Sequence, residues 1–244
     1  MAKDAKTFEA SDFGKSTRRR LPICFCLDVS GSMAGSPIRQ LNEGLSSFFS
    51  SIRENDETRS SADICIVTFG GTVDIFLPFG KISKDHSIPK IQATTSLTPI
   101  GEGILTSLEL LIARKEGYKN LGIKYYQPWL VVITDGAPQG TNAIENMEKA
   151  IVAVNELESL DRLVVFNIGV GNNVDLTLLK RLSKKRAEPI CIDSAQFSKL
   201  FEFLGSSSSS IVASGMKDDA LYDLAGTTKG NSVAMDEFFK YLED

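Results

Sequence analysis

From residue 21 to residue 32 the chain reads Leu21-Pro22-Ile23-Cys24-Phe25-Cys26-Leu27-Asp28-Val29-Ser30-Gly31-Ser32. An apolar run that is typical of a buried strand is followed at once by one carboxylate and two hydroxyls. In an extended segment alternate residues point the same way, so Asp28, Ser30 and Ser32 can present three oxygen ligands to one centre. Hard oxygen donors favour magnesium, calcium or manganese over softer metals. Turns and helix N-caps use the same residue types, so this stretch alone also allows a plain loop.

Two further segments end in oxygen-bearing side chains at comparable places. Thr98 lies in a loop just before a stretch with helical spacing of apolar residues, and Asp135 follows the apolar run Trp129-Leu130-Val131-Val132-Ile133-Thr134. Each alone is explained by a helix cap or a turn. In an open parallel sheet, however, the loops at the carboxyl ends of the strands meet in one crevice. We therefore expect Asp28, Ser30, Ser32, Thr98 and Asp135 to converge.

The remaining pattern alternates between strand and helix. Apolar residues at spacings of three and four predict an amphipathic helix over 38–52. Two strand-like runs, 64–69 and 73–79, are separated by Gly70-Gly71, which predicts an antiparallel hairpin. Strands near 163–168 and 189–192 alternate with further helices. The fold class predicted is α/β: a Rossmann-like, mostly parallel central sheet with one antiparallel edge strand and helices on both faces.

The chain divides into three parts by composition. Residues 1–17 form a polar N-terminal arm, residues 18–214 the domain, and residues 215–244 a C-terminal extension. Apolar residues at helical spacing predict a helix at 234–243 within that extension. Such a helix would either pack back onto the domain or dock onto a partner.

The order Asp-x-Ser-x-Ser, then Thr-Pro-x-Gly, then Thr-Asp-Gly resembles a von Willebrand factor A (VWA) domain with a complete metal-ion-dependent adhesion site. The likeness runs from about Arg20 to about Ser214. Three features resemble the bacterial tellurium-resistance-type subfamily: Leu-Pro opening the first strand, Gly-Ser-Met-x-Gly-x-Pro-Ile after it, and a final helix rich in Phe and Ser. The resemblance implies that this chain has the fold and the function of that family.

The resemblance implies a metal-binding function for the five converging residues. They would hold Mg²⁺, with Ca²⁺ or Mn²⁺ as alternatives, directly or through water. The last coordination place would be left for a Glu or Asp of a protein partner. The implied protein is a non-enzymatic adaptor in a cytoplasmic stress-response or signalling complex.

Composition and hydropathy argue against nucleic-acid and membrane partners. A formal net charge of −4 gives no support for nucleic-acid binding, which needs clustered Lys and Arg. No apolar stretch is long enough to cross a bilayer, so no membrane partner is expected. Four cysteines match neither a disulfide framework nor a zinc knuckle, and small buried thiols favour a cytoplasmic location.

Two competing functions use the same residues. A metal-dependent phosphohydrolase needs a positioned general base, and Glu102 is the only nearby candidate. Glu102 is better explained as an acidic residue in the first turn of a helix. A Ser-His-Asp arrangement is hard to build, because His86 is the single histidine and lies away from every motif. A purely structural metal site is the third class, and it would offer no open coordination place.

Overall fold

The computed structural model describes residues 18–84, 88, 90–171, 174–185 and 188–214. The N-terminal arm and the C-terminal extension, including the helix predicted at 234–243, lie outside the described residues. Within those residues a six-stranded sheet is covered by six α-helices. The strands are β1 (Leu21–Asp28), β2 (Ala62–Gly70), β3 (Thr72–Lys81), β4 (Trp129–Thr134), β5 (Val164–Val170) and β6 (Ile190–Ile192). The helices are α1 (Ser36–Glu54), α2 (Asp56–Ser61), α3 (Ile100–Asn120), α4 (Ala143–Ser159), α5 (Leu176–Leu182) and α6 (Phe197–Ser214).

The sheet has the order β3-β2-β1-β4-β5-β6. Every pair is parallel except β2 and β3, which form the antiparallel hairpin that Gly70-Gly71 predicts. Gly71 has a φ of 81°, a backbone conformation that glycine adopts without a steric cost. The predicted fold class, including the single antiparallel edge strand, is confirmed.

Alternate residues of the central strands face opposite layers. On β1, Ile23, Phe25 and Leu27 pack with α1 and α6 in one core, whereas Cys24 and Cys26 pack with α3, α4 and α5 in the other. Both faces are apolar because helices cover both sides of a parallel sheet. The result is a rigid central strand whose carboxyl end is fixed from both sides.

Helix α3 is held along its length, which positions the loop that precedes it. Near its start Gly101 faces the backbone of Met147 on α4, so closely that a Cβ there would collide with it. Near its other end Arg114 pairs with Asp63 on β2, with Nη2 and Oδ2 2.6 Å apart and both side chains almost fully buried. Tyr118 also donates to Asp63 Oδ2. These contacts fix α3 against the sheet and against α4.

Candidate metal centre

The first group of candidate residues lies where β1 and β4 end side by side. Leu27 of β1 is the register partner of Ile133 of β4, so Asp28 and Thr134 follow at the same level. Asp28 is fully buried and accepts two hydrogen bonds: Oδ1 from the Ser30 amide at 2.8 Å and Oδ2 from the Thr134 hydroxyl at 2.6 Å. Both carboxylate oxygens of Asp28 are therefore held in fixed directions.

A chain of side-chain contacts continues from Ser30 to the end of β4. The Ser30 and Ser32 hydroxyl oxygens lie 3.1 Å apart, and Ser32 Oγ donates to Asp135 Oδ1 at 2.7 Å. Asp28, Ser30, Ser32 and Asp135 are thus joined through short contacts although Asp135 is more than a hundred residues away in sequence.

The backbone that joins these residues differs from the extended segment predicted from sequence. Strand β1 ends at Asp28, and Gly31–Met33 form a 3₁₀ turn in which the Met33 amide donates to the Ser30 carbonyl at 3.1 Å. The alternation of an extended segment therefore stops at Asp28, and Gly31 lets the backbone curl at the end of the strand. The turn brings the two serine hydroxyls together because it curls the backbone around the end of the strand.

Thr98 reaches the same place from the loop before α3. Its carbonyl accepts from the Gln139 amide at 2.9 Å, which ties this loop to the loop after β4. Its hydroxyl lies 3.8 Å from the position that a Cβ on Gly136 would occupy. The N-cap of α3 is Pro99, and Thr98 is buried without capping the helix, so the alternative of a simple cap is wrong. A further tie runs from the Gly31 amide to the Ser96 carbonyl at 3.3 Å.

One residue of this cluster was not singled out by the sequence. Thr134 is buried and donates to Asp28 Oδ2, so it orients the carboxylate that lies deepest in the cluster. The signal that could have found it is its position: it occupies the last place of β4, level with Asp28. Polar residues that directly precede a strand-end carboxylate are candidates for this orienting function.

The electrostatics of the cluster disfavour two negative charges. Burial raises the pKa of the Asp28 carboxyl, the hydrogen bonds from Ser30 and Thr134 oppose that rise, and the charge of Asp135 adds to it. Burial likewise raises the pKa of Asp135, against a lowering contribution from the Ser32 hydrogen bond. A divalent cation between these groups would reverse the balance because it attracts both carboxylates.

The donor set fits a small, hard cation. Magnesium and other hard cations take oxygen ligands, and the cluster offers both carboxylate and hydroxyl oxygens. The two serine oxygens lie 3.1 Å apart, within hydrogen-bonding distance of each other. Across the described part of the chain, no group of three or more His, Cys, Asp and Glu side chains could hold a metal. Any ion here would therefore depend on hydroxyl as well as carboxylate oxygens, and soft metals prefer other ligands.

Glu102, the candidate general base of the competing hydrolase, is engaged elsewhere. Its Oε1 accepts from Asn146 Nδ2 at 2.8 Å, across the contact between α3 and α4. The carboxylate thus joins two helices.

Comparisons with known proteins identify the family of this domain. The sequence profile of the von Willebrand factor type A domain matches residues 23–205, which is three quarters of the chain. A von Willebrand factor A domain-containing protein of Dictyostelium discoideum is 26% identical over 160 residues, covering 65% of this chain and 16% of that protein. The inter-alpha-trypsin inhibitor heavy chain H3 of Rattus norvegicus is 26% identical over 162 residues, covering 66% of this chain and 18% of that protein.

A solved structure shows the same fold. Proximal thread matrix protein 1 from the mussel byssus, with its metal-ion-dependent adhesion site occupied by zinc, superposes with a TM-score of 0.50 at 16% identity. The superposition covers 79% of this chain and 48% of that one. The chain spans about a sixth of the length of the two relatives above, so the likeness concerns one domain of them. The chain belongs to the von Willebrand factor type A domain family.

Proposed function

We propose that this domain is a metal-dependent protein-binding adaptor, in which Asp28, Ser30, Ser32, Thr98 and Asp135 hold a divalent cation that captures an acidic side chain of a partner. VWA domains commonly mediate metal-dependent protein–protein interaction. The observation that carries the proposal is the contact chain from Ser30 through Ser32 to Asp135, which brings two distant strand ends together. Hard oxygen donors favour Mg²⁺, with Ca²⁺ or Mn²⁺ as alternatives.

The argument for an acidic partner residue rests on charge and on the number of ligands. If each of the five side chains supplies one oxygen, one of the six places that Mg²⁺ prefers is left for water or for a partner. Two carboxylates balance the formal charge of a divalent ion, and the three hydroxyls are neutral, so the ion still attracts a further acidic ligand at its open place. An incoming Glu or Asp would bind there through a charge-assisted contact that strengthens when water is excluded.

The cellular setting is also part of the proposal. The motifs around β1 and the Phe- and Ser-rich α6 support a relationship to the tellurium-resistance-type subfamily, and hence a stress-response or signalling complex. All four cysteines are free, which supports a cytoplasmic location. No helix among the described residues is long and apolar enough to span a bilayer. We propose domain boundaries near residues 18 and 214.

Non-enzymatic binding is favoured over metal-dependent phosphohydrolysis. A hydrolase would need a general base close to the ion, and Glu102 is held by Asn146 between two helices. With Mg²⁺ and simple phosphoesters we expect no hydrolysis above that of a protein-free control. Turnover that disappears in the Asp135→Asn variant would favour the hydrolase instead.

A displayed library of random peptides tests the binding function and requires no identified partner. Peptides are captured on the domain in Mg²⁺ and eluted first with EDTA and then with denaturant, so that metal-dependent and metal-independent binders are recovered separately. We expect every recovered family to contain a Glu or Asp whose replacement by the amide abolishes binding. Thr98→Ala and Asp135→Asn should recover none of them, whereas Glu109→Gln, a change at an exposed position of α3, should recover them all. Peptides that bind equally well in EDTA, or without an acidic residue, would contradict the proposal.

A further inference from the structure

A cleft of about 360 Å³ lies beside the candidate metal centre. Residues at the carboxyl ends of three neighbouring strands line it: Asp135 after β4, Val170 and Gly171 at the end of β5, and Asp193 after β6. Pro37, near the start of α1, closes one side. Asp135 belongs to both sites, so the cleft is continuous with the place where the proposed partner would reach the ion.

The walls of this cleft combine negative charge with apolar surface. Two carboxylates line it, those of Asp135 and Asp193, and the described lining residues include no Lys or Arg. Pro37, Val170 and Ala195 provide the apolar surface. The position of Asp193 is fixed by its own backbone, because its amide donates to Gln196 Oε1 at 2.7 Å and the neighbouring Ile192 carbonyl accepts from the Gly171 amide at 2.8 Å.

This combination matches one class of side chain. Lys and Arg carry an aliphatic stem that packs on apolar walls and a cationic head that binds carboxylates. With the ion bound to Asp135, the carboxylate of Asp193 still faces the cleft: an acidic side chain would meet it as a like charge, and a purely apolar one would remove it from water without compensation. A second free metal ion would need about six oxygen ligands, and the apolar walls leave it too few.

We propose that the cleft binds a Lys or Arg side chain of the same partner that presents its acidic residue to the metal. This inference rests on the proposed function and adds a second specificity element to it. Asp135 borders both the ion and the cleft, so the two partner side chains would bind side by side. We therefore expect the basic residue of the recognised sequence to lie close to the acidic one, on the order of three positions away at roughly 3.3 Å per extended residue.

The peptide library tests this with variants of the cleft. For the wild-type domain, EDTA-eluted peptides should carry both an acidic residue and a Lys or Arg within three positions of it. Asp193→Lys should keep the requirement for the acidic residue and lose the preference for the basic one. Ala195→Trp, which fills the cleft at an exposed position, should do the same without changing any charge. Glu109→Gln is the matched control and should select the wild-type peptides.

A double-mutant cycle then measures the pair directly on one selected peptide. Replacing its basic residue by Gln should weaken binding to the wild-type domain by about fivefold, as expected for a partly exposed charge pair. The same peptide change should have no effect on the Asp193→Asn variant. Equal losses in both proteins would overturn the cleft assignment.

The outcomes separate this inference from the proposed function. Peptides that need metal and an acidic residue but show no basic preference overturn the cleft alone. Peptides that need Asp193 and a basic residue but bind equally in EDTA support the cleft and overturn the metal-dependent function. A library that yields no binder under either condition overturns both.

Discussion

Removing the charge of Asp135 should change the stability of the domain in opposite directions with and without Mg²⁺. Asp135→Asn keeps an Oδ1 acceptor for the hydrogen bond that Ser32 donates at 2.7 Å, and it removes the charge that opposes ionisation of Asp28. Two unit charges about 4 Å apart repel by roughly 1 kcal/mol in water and by more where water is excluded. In EDTA the free energy of unfolding of the variant should therefore equal that of the wild type or exceed it by up to about 1 kcal/mol.

With Mg²⁺ present the order should reverse. An ion at 100 times its dissociation constant stabilises the folded wild type by about 2.7 kcal/mol. For a domain of this size that raises Tm by about 5–10 °C. The variant lacks one of the two carboxylates and should gain little, so it becomes less stable than the wild type by about 2 kcal/mol. Urea unfolding followed by circular dichroism, in EDTA and in Mg²⁺, measures both differences, with Glu109→Gln as the control.

Two results would refute this reasoning. If Mg²⁺ stabilises the wild type and the Asp135→Asn variant equally, the ion binds elsewhere. If the variant is less stable by the same amount in both solutions, Asp135 has only a structural function through its contact with Ser32.

Three further predictions concern the frame that holds the site. Arg114→Met leaves the Asp63 carboxylate buried without its ion-pair partner and should lower the free energy of unfolding, measured in urea, by about 3–5 kcal/mol. The double variant that also carries Asp63→Leu should recover part of that lost stability. Gly101→Ala places a methyl group against the Met147 backbone and should lower the free energy of unfolding by about 1–3 kcal/mol. Because the loop that carries Thr98 leads into α3, the same change should weaken Mg²⁺ binding measured by calorimetry. Unchanged binding would show that this loop is positioned independently of α3. Cys191 is exposed and should be alkylated in the folded protein, as mass spectrometry can show. Cys24, Cys26 and Cys65 are buried and should be alkylated only after unfolding; burial also raises the pKa of the Cys26 thiol.

Much of the fold could be predicted because its determinants are local or periodic. Apolar residues of α1 recur at helical spacing, and Gly70-Gly71 separates two strand-like runs, so these elements follow from the sequence. The convergence of distant loops also followed, since parallel strands deliver their carboxyl ends to one edge of a sheet. Asp175 is the N-cap of α5 and accepts from the Leu178 amide at 3.0 Å, a position at which Asp is a common and recognisable sequence signal.

Other features depend on contacts that no local pattern encodes. The exact 3₁₀ turn at Gly31–Met33 could not be placed because the same residues suit an extended chain, and in the structure the Gly31 amide ties the turn to the Ser96 carbonyl. The buried pair of Asp63 and Arg114 was also missed. Asp63 is a charged side chain inside the otherwise apolar strand β2, and that mismatch was the available signal, whereas Arg114 stands beside other charged residues of α3 and gave none. The cleft beside Asp135 requires the ends of three strands and one helix together.

The most direct measurement is anomalous X-ray scattering from crystals grown with Mn²⁺, which replaces Mg²⁺ and is located by its own signal. We expect one strong peak within about 2.0–2.4 Å of the Ser30 and Ser32 hydroxyl oxygens. Thr98 and Asp135 should bind it directly or through one water. The peak should vanish in the Asp135→Asn variant. No peak at saturating Mn²⁺, or a peak that lies away from these residues, would contradict the metal-dependent account.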